Sequence, residues 1–149
     1  MNANEFNEVI KSRYSIRAFG DEAVPKELIE SIIDAARWAP SAHNRQPWKF
    51  LVLETEADKK RLDDAMSPGY SEAMRVAGMT EEAIAVRVKG REQQMVAAPV
   101  IIVPIYTSET MPEHEKDPER NQGEQIMGIQ SVSMAGATLM LSPHAEGLR

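Results

Sequence analysis

The stretch Ala39–Trp48 reads Ala-Pro-Ser-Ala-His-Asn-Arg-Gln-Pro-Trp and lies between a strongly amphipathic segment and an apolar one. Its small residues would let a planar group approach the backbone. The side-chain amides of Asn44 and Gln46 can each donate to and accept from the edge of a ring. An ordinary connecting loop, with Trp48 filling the core, would have the same composition, so both interpretations stay open at this point.

The residues on the N-terminal side of this loop form the clearest helix pattern in the chain. From Pro25 to Trp38 the apolar residues recur at helical spacing, Pro25 suits a first turn, and Pro40 stops the helix. A short helix is also expected from Asn4 to Lys11, with Asn4 as its cap.

A second polar segment, Arg13-Tyr14-Ser15-Ile16-Arg17, follows that first short helix. Guanidinium groups present paired donors to phosphate oxygens, and a serine hydroxyl adds a neutral donor. In an extended chain residues 13, 15 and 17 share one side and could face one anionic ligand. A basic turn on the surface is the alternative interpretation.

Beyond the loop the sequence predicts an α+β chain with more helices than strands. Helices are expected over residues 56–66, 71–77, 80–97 and 122–144, and buried strands over residues 48–53 and 99–106. Pro68-Gly69 is expected to close the first of these helices. Pro143 should kink or fray the last one. Pro104 favours an end or edge position for the second strand. The small residues of the last helix would admit close approach of another backbone: Ser131, Ser133, Ala135, Gly136 and Ala137.

Composition excludes several classes of protein. With 149 residues a single domain is expected, and the absence of cysteine excludes disulfides, thiolate metal sites and a cysteine nucleophile. No apolar run approaches the ~20 residues of a membrane helix, so a cytoplasmic protein without a membrane partner is expected. The net charge of −6 disfavours nucleic acid as a partner. Residues 1–49 are neutral, with seven basic and seven acidic side chains, so an anionic small molecule could still bind there.

The histidines give little indication of a metal site or a catalytic site. His114 lies in an acidic loop expected over residues 108–121, which could offer metal ligands but is more simply a solvated loop, and no metal site is predicted. Ser41 and His43 lie two residues apart, but a serine hydrolase also needs an orienting acid. No catalytic residue is assigned.

The two polar segments, taken together and in this order, resemble the nitroreductase family of flavin enzymes. That family opens with a helix, an Arg-x-Ser-x-Arg/Lys run, a second helix and a Pro-Ser-x-x-Asn-x-Gln-Pro-Trp loop leading into a strand. Here the matching runs are Arg13–Arg17 and Pro40–Trp48. The stretch Arg87–Ile105 and the helix ending in His144-Ala-Glu-Gly-Leu are also similar to a subgroup that includes the flavin domain of deazaflavin-cofactor glutamyl ligases.

The resemblance implies an FMN site at the interface of a twofold homodimer, formed around the long helix from about Gln122. It implies that Arg13 and Arg17 hold the phosphate and ribityl chain, beside Tyr14 and Ser15. From the other subunit, Ser41, Ala42 and Asn44 would contact the ring and the ribityl tail. Pro40 would help to shape the loop that carries them. A polar residue just before the second strand would touch the ring edge, and by position Arg91 or Gln94 could do so.

The resemblance further implies an oxidoreductase that passes hydride from NAD(P)H through FMN to a small electron-poor acceptor such as a nitroaromatic or a quinone. Two alternatives remain open: a non-catalytic flavin-binding or dimerisation module of a cofactor-assembly protein, and an interaction protein whose acidic loop meets a basic partner. In the family the Gly-Leu after the long helix continues into a further strand and helices. The end at Gly147-Leu148-Arg149 therefore predicts that about a quarter of the fold is missing.

Overall fold

The structure, a computed structural model, describes residues 2–148. The element order confirms the α+β prediction: α1 (Ala3–Ser12), α2 (Lys26–Arg37), a short 3₁₀ turn (Ala42–Asn44), β1 (Trp48–Leu53), α3 (Glu56–Val76), α4 (Glu81–Ala97), β2 (Ile101–Tyr106) and α5 (Pro118–Ala145). The strands β1 and β2 pair as a two-stranded sheet. Within residues 2–148 no helix has the length and apolarity needed to span a bilayer.

The N-terminal helix is capped by Asn2, so the expectation that Asn4 is the cap was wrong. The Asn2 carboxamide oxygen accepts the backbone N–H groups of Asn4 and Glu5 at 2.9 and 3.0 Å, and the Glu5 carboxylate accepts the Asn2 N–H at 2.8 Å. This reciprocal pair is a capping box, and it places Asn4 inside the first turn rather than before it.

Helix α3 runs through Pro68 without a break, which corrects the prediction of separate helices over 56–66 and 71–77. Pro68 lacks the N–H that would bond the carbonyl of Asp64, and its ring crowds that carbonyl. The neighbouring carbonyl of Asp63 accepts the Ser67 hydroxyl at 2.9 Å and Nη2 of Arg91 at 3.2 Å. The helix ends instead at Val76, and the chain turns at Gly78, where φ is +82° and the N–H of Met79 bonds back to the carbonyl of Met74 at 3.1 Å.

Helix α5 starts earlier than Gln122 because Asp117 caps it, with the Asp117 carboxylate accepting the N–H of Arg120 at 2.9 Å. Pro118 then occupies the first turn, where a missing N–H costs nothing. The acidic loop is correspondingly shorter than the predicted 108–121. Pro143 lies within the last turn, and the helix continues to Ala145.

The chain forms two compact units. The first contains residues up to Ser15, residues 25–51 and residues from Val103 onward. In it α2 and α1 pack on α5, and the core is formed by Trp48, Val132 and Ala135. The Tyr106 side chain packs closely on α5 at Gly128, because a Cβ there would lie 2.5 Å from Cε2 of Tyr106. Of the small residues expected to admit another backbone, Ser131 and Ala135 are buried, whereas Ser133 and Ala137 are exposed.

The second unit contains residues 16–24 and 52–102, in which α3 packs against α4. Lys59 is buried there because its ammonium group donates to the carbonyl oxygens of Ala98 and Pro99 at 2.5 and 3.0 Å. Met74 and Ile84 supply buried apolar side chains.

The strands are only partly buried, which corrects the expectation of buried strands. In β1 Trp48 and Leu53 are buried while Lys49 and Leu51 are exposed, and in β2 Ile105 is 40% exposed. Alternate side chains of a strand point to opposite faces. A two-stranded sheet also leaves each strand with an edge, which agrees with the edge position predicted from Pro104.

Candidate functional site

The loop between α2 and β1 has an unusual backbone. His43, Asn44 and Gln46 have φ values of 53°, 54° and 50°, in the left-handed region that non-glycine residues rarely adopt. Such residues cost on the order of 1 kcal/mol each and persist where neighbouring contacts enforce them. We therefore expect neighbouring contacts to hold the conformation of the loop from Ser41 to Pro47, which is called the APS loop below.

Some of those contacts lie inside the APS loop. The Ser41 hydroxyl accepts the N–H of Gln46 at 3.1 Å, and the Ser41 carbonyl accepts the N–H of Asn44 at 3.0 Å. The Asn44 carboxamide oxygen accepts Nε2 of Gln46 at 3.1 Å. The two amides predicted to face a ring edge thus lie side by side, and both are exposed.

Other contacts join the APS loop to α5. The N–H of Ala42 donates to the Ser131 hydroxyl at 3.2 Å, and that hydroxyl donates to the Met127 carbonyl at 2.7 Å. The Arg45 guanidinium forms an ion pair with the Glu124 carboxylate. Ser131 and Glu124 are 1% and 6% exposed, so both bonds are made by buried groups of α5.

The Glu124 carboxylate also has an imidazole neighbour, since Nε2 of His114 lies 3.6 Å from its Oε1. The backbone of His114 is itself held by Asn121, whose side chain accepts the His114 N–H at 2.8 Å and donates to its carbonyl at 3.0 Å. Burial raises the pKa of Glu124. The hydrogen bond and charge of Arg45, with those of His114, outweigh it and hold that pKa below the ordinary value.

A shallow depression of about 200 Å³ lies beside the APS loop and is lined by Asp34, Arg37, Trp38 and Gln46. The Trp38 side chain is 84% exposed. An indole open to solvent gives this depression an aromatic wall. The Asp34 and Arg37 side chains, 3.5 Å apart, give it a charged rim.

The predicted phosphate-binding residues lie in a segment without regular secondary structure. Arg13, Tyr14 and Ser15 belong to the first unit and Arg17 to the second. Tyr14, Ser15 and Arg17 are exposed and Arg13 is half-buried. Their roles stay predictions.

Arg91 and Gln94 were predicted at the ring edge. Gln94 contacts the segment that was predicted to bind phosphate, because its Nε2 donates to the carbonyl of Arg17 at 3.1 Å. Arg91 has a different set of partners. Its Nε donates to the Asp63 carboxylate at 2.9 Å and its Nη2 to the Ser67 hydroxyl at 2.7 Å, and its guanidinium lies 4.5 Å from the ring centroid of Tyr70. The structure thus gives Arg91 a bracing position between α4 and α3.

Sequence reasoning missed the part that α5 plays in the site. Ser131 was predicted only as a small residue of the last helix, and no role was predicted for Glu124. Their partners lie 89 and 79 residues away in the chain. The available signal was Arg45 itself, a charged residue inside a loop of otherwise neutral residues.

Comparison with known proteins adds to these observations. A solved structure similar to this chain is the nitroreductase-like family protein from Bacillus cereus, with a TM-score of 0.70 and 26% identity over 99% of this chain and 68% of that one. Another is a "putative nitroreductase" in complex with FMN from Desulfovibrio desulfuricans, with a TM-score of 0.63 and 25% identity over 98% of this chain and 64% of that one.

Among curated proteins, the "putative NADH dehydrogenase/NAD(P)H nitroreductase" of Methanothermobacter thermautotrophicus is 52% identical over 57 residues. That match covers 38% of this chain and 30% of the relative. The profile of the family described as "Nitroreductase family" matches residues 10–149, which include the APS loop, both strands and α5. The chain belongs to the nitroreductase family.

Proposed function

We propose that the chain is an FMN-dependent oxidoreductase that passes hydride from NAD(P)H to a small electron-poor acceptor, such as a nitroaromatic or a quinone. The observation that carries this proposal is the APS loop, whose left-handed backbone is held in place by buried groups of α5. Strained backbone of this kind is concentrated at ligand-binding sites.

The residues present fit FMN by their chemistry. Arg13, Ser15 and Arg17 would hold the phosphate and the ribityl chain, since guanidinium and hydroxyl groups are the donors that a phosphate ester takes. Tyr14 lies beside them and is 63% exposed. Gln94 would support this segment through its bond to the Arg17 carbonyl.

In the APS loop, Ser41, Ala42 and Asn44 would lie against the ring and its ribityl tail, with Pro40 shaping the entry to the loop. The exposed amide of Asn44 can meet a ring edge that both donates and accepts. The small side chain of Ala42 leaves the backbone approachable. We assign Arg91 to bracing α3 rather than to the ring, because its Nε and Nη2 groups already donate to Asp63 and Ser67.

A second copy of the chain would complete the site. The depression beside the APS loop holds about 200 Å³, which is below the roughly 300–1,000 Å³ of usual ligand pockets. Helix α5 carries exposed apolar side chains that a twofold contact would cover: Ile126, Ile129, Met134 and Met140. These two features support a homodimer with FMN between the subunits.

FMN, when bound, supplies the hydride chemistry, and the protein supplies binding, orientation and electrostatics. The arginines would fix the anionic end of the cofactor, and the APS loop would fix the position of the ring relative to an incoming acceptor. No side chain is required as an acid or base, so none is named as catalytic.

Titration of the purified protein with FMN, followed by assay of NADH and NADPH oxidation with nitroaromatic and quinone acceptors, tests the proposal. We expect bound flavin with a perturbed visible spectrum, and oxidation that depends on the acceptor. Arg13→Ala and Arg17→Ala should each weaken FMN binding, whereas Arg61→Ala on the exposed face of α3 should not. Failure to bind FMN would overturn the proposal. Bound FMN without NAD(P)H oxidation would instead indicate a non-catalytic flavin module.

A further inference from the structure

We propose that Ser131 and Glu124 of α5 are positioning residues that hold the APS loop in its flavin-facing conformation; this inference rests on the proposed function. The two side chains lie seven residues apart on the helix, which is about two turns and about 10.5 Å along the axis. They therefore share the face of α5 that meets the loop. The two bonds that they make fall on either side of His43 and Asn44.

The position of these bonds explains how the left-handed backbone persists. His43 and Asn44, at φ of 53° and 54°, lie between Ala42, whose N–H is bound to Ser131, and Arg45, whose side chain is bound to Glu124. A short segment fixed at both ends cannot relax to the right-handed region without breaking one of the bonds. The strain is thus balanced by two contacts to a rigid helix.

The Ser131 hydroxyl makes a contact with the APS loop that the hydroxyl of Ser133 does not make. Ser131 and Ser133 both donate to a carbonyl four residues earlier in α5, at 2.7 and 2.9 Å. Only Ser131 is buried and also accepts an N–H from the loop. Removing its oxygen would leave the Ala42 N–H without that acceptor.

The Glu124 carboxylate holds the APS loop through its negative charge. It is 6% exposed, and the Arg45 guanidinium reaches it from the loop. A glutamine would keep the shape and the hydrogen-bonding oxygen while removing the charge. Arg45→Met removes the same ion pair and also leaves the buried Glu124 carboxylate without its cation, so it should affect the loop at least as much as Glu124→Gln does. The two substitutions act on one contact, so their effects should not add in the double variant.

The experiment compares Ser131→Ala, Glu124→Gln, Arg45→Met and the Glu124→Gln/Arg45→Met double variant with two controls. Ser133→Ala removes the matching hydroxyl from the exposed side of α5. Ile29→Val removes a methylene group from the buried side of α2, which lowers the melting temperature and leaves the two contacts of the loop with α5 in place. Two quantities are measured: amide hydrogen exchange of residues 41–47 without FMN, and the dissociation constant for FMN.

We expect Ser131→Ala to speed exchange of the Ala42 amide and to weaken FMN binding about tenfold. Glu124→Gln should also weaken FMN binding, Arg45→Met should weaken it at least as much, and the double variant should weaken it by less than the product of the two factors. Ser133→Ala should match wild type in both measurements, and Ile29→Val should lower the melting temperature while leaving the exchange of residues 41–47 and the FMN affinity unchanged.

Two results would overturn the inference: unchanged exchange and affinity in Ser131→Ala, or a loss of affinity in Ile29→Val as large as that in Ser131→Ala. If the wild-type protein binds no FMN, the proposed function fails, but hydrogen exchange of the loop still decides whether α5 holds it. The two proposals are therefore tested separately.

Discussion

Nε of Arg91 lies 2.9 Å from the Asp63 carboxylate, and the two side chains are 15% and 3% exposed. The pair joins α4 to α3 beside Pro68. Arg91→Met would leave the Asp63 carboxylate buried without its cation, which typically costs about 3–5 kcal/mol. We expect a loss of that size in the free energy of unfolding, measured by urea denaturation.

The matched control for that variant is Arg87→Met, one turn earlier on α4, where the side chain is exposed. It should change stability by no more than about 0.5 kcal/mol. If Arg91→Met cost no more than this control, the bracing role of Arg91 would be wrong, and a place at the flavin ring would become the better assignment.

Gly128→Ala should destabilise the first unit. Its Cβ would lie 2.5 Å from Cε2 of Tyr106 and 3.3 Å from Cε of Met111. Overpacking of this kind usually costs about 1–3 kcal/mol. Gly123→Ala, on the same helix with no neighbour within 4 Å, should instead gain up to about 1 kcal/mol from helix propensity. Thermal unfolding of the two variants should therefore shift in opposite directions, and equal shifts would refute the close contact with Tyr106.

Ile129→Glu tests the proposed dimer. Ile129 is 49% exposed on α5, and a charge there would be buried and unpaired if a second copy covers this face. Sedimentation should show a dimer for wild type and a monomer for the variant, with loss of FMN if both subunits contribute to the site. Val86→Glu, on α4 at a position that is 73% exposed, should remain dimeric. A wild-type monomer would contradict the prediction.

The pKa of Glu124 predicts a pH-dependent contribution to stability. An unfolded carboxyl titrates near its ordinary value of 4.5, and the folded-state pKa lies below it. The ionised carboxylate therefore stabilises the folded protein fully above the ordinary pKa of 4.5. This contribution is lost as the pH falls through the lower folded-state pKa. Glu124→Gln lacks this contribution.

Thermal scans from about pH 5 down to about pH 3 would measure this effect. The melting temperature of wild type should approach that of Glu124→Gln as the pH falls. The exposed acid of the same helix provides the control, because Glu119→Gln should give a curve parallel to wild type. A constant gap between wild type and Glu124→Gln would rule out the lowered pKa.

Local patterns predicted most of the elements of this fold. Helices α2 and α4 and both strands occur at about the predicted positions. Two of the errors concerned local caps, since Asn2 rather than Asn4 caps α1 and Asp117 starts α5 before Gln122. Pro68 indicates a helix end, yet α3 continues through it to Val76.

In the candidate site, the residues of the loop could be predicted from the sequence, whereas the contacts of the loop with α5 could not. The APS loop could be identified because its residues are contiguous and their order is characteristic of a family. Its attachment to Ser131 and Glu124 could not, since hydrogen bonds across 89 and 79 residues leave no trace in spacing. The predicted roles of Arg13, Tyr14, Ser15 and Arg17 rest on the resemblance and stay predictions.

The length of α5 between Glu124 and Ser131 has a consequence for how this sequence can diverge. One inserted residue turns everything beyond it by about 100° around the helix axis. It would move Ser131 away from Ala42 and rotate the later apolar side chains relative to Ile126 in the same event. Insertions and deletions should therefore be absent from residues 125–130 in functional descendants, while the loop before Asp117 remains free to change in length.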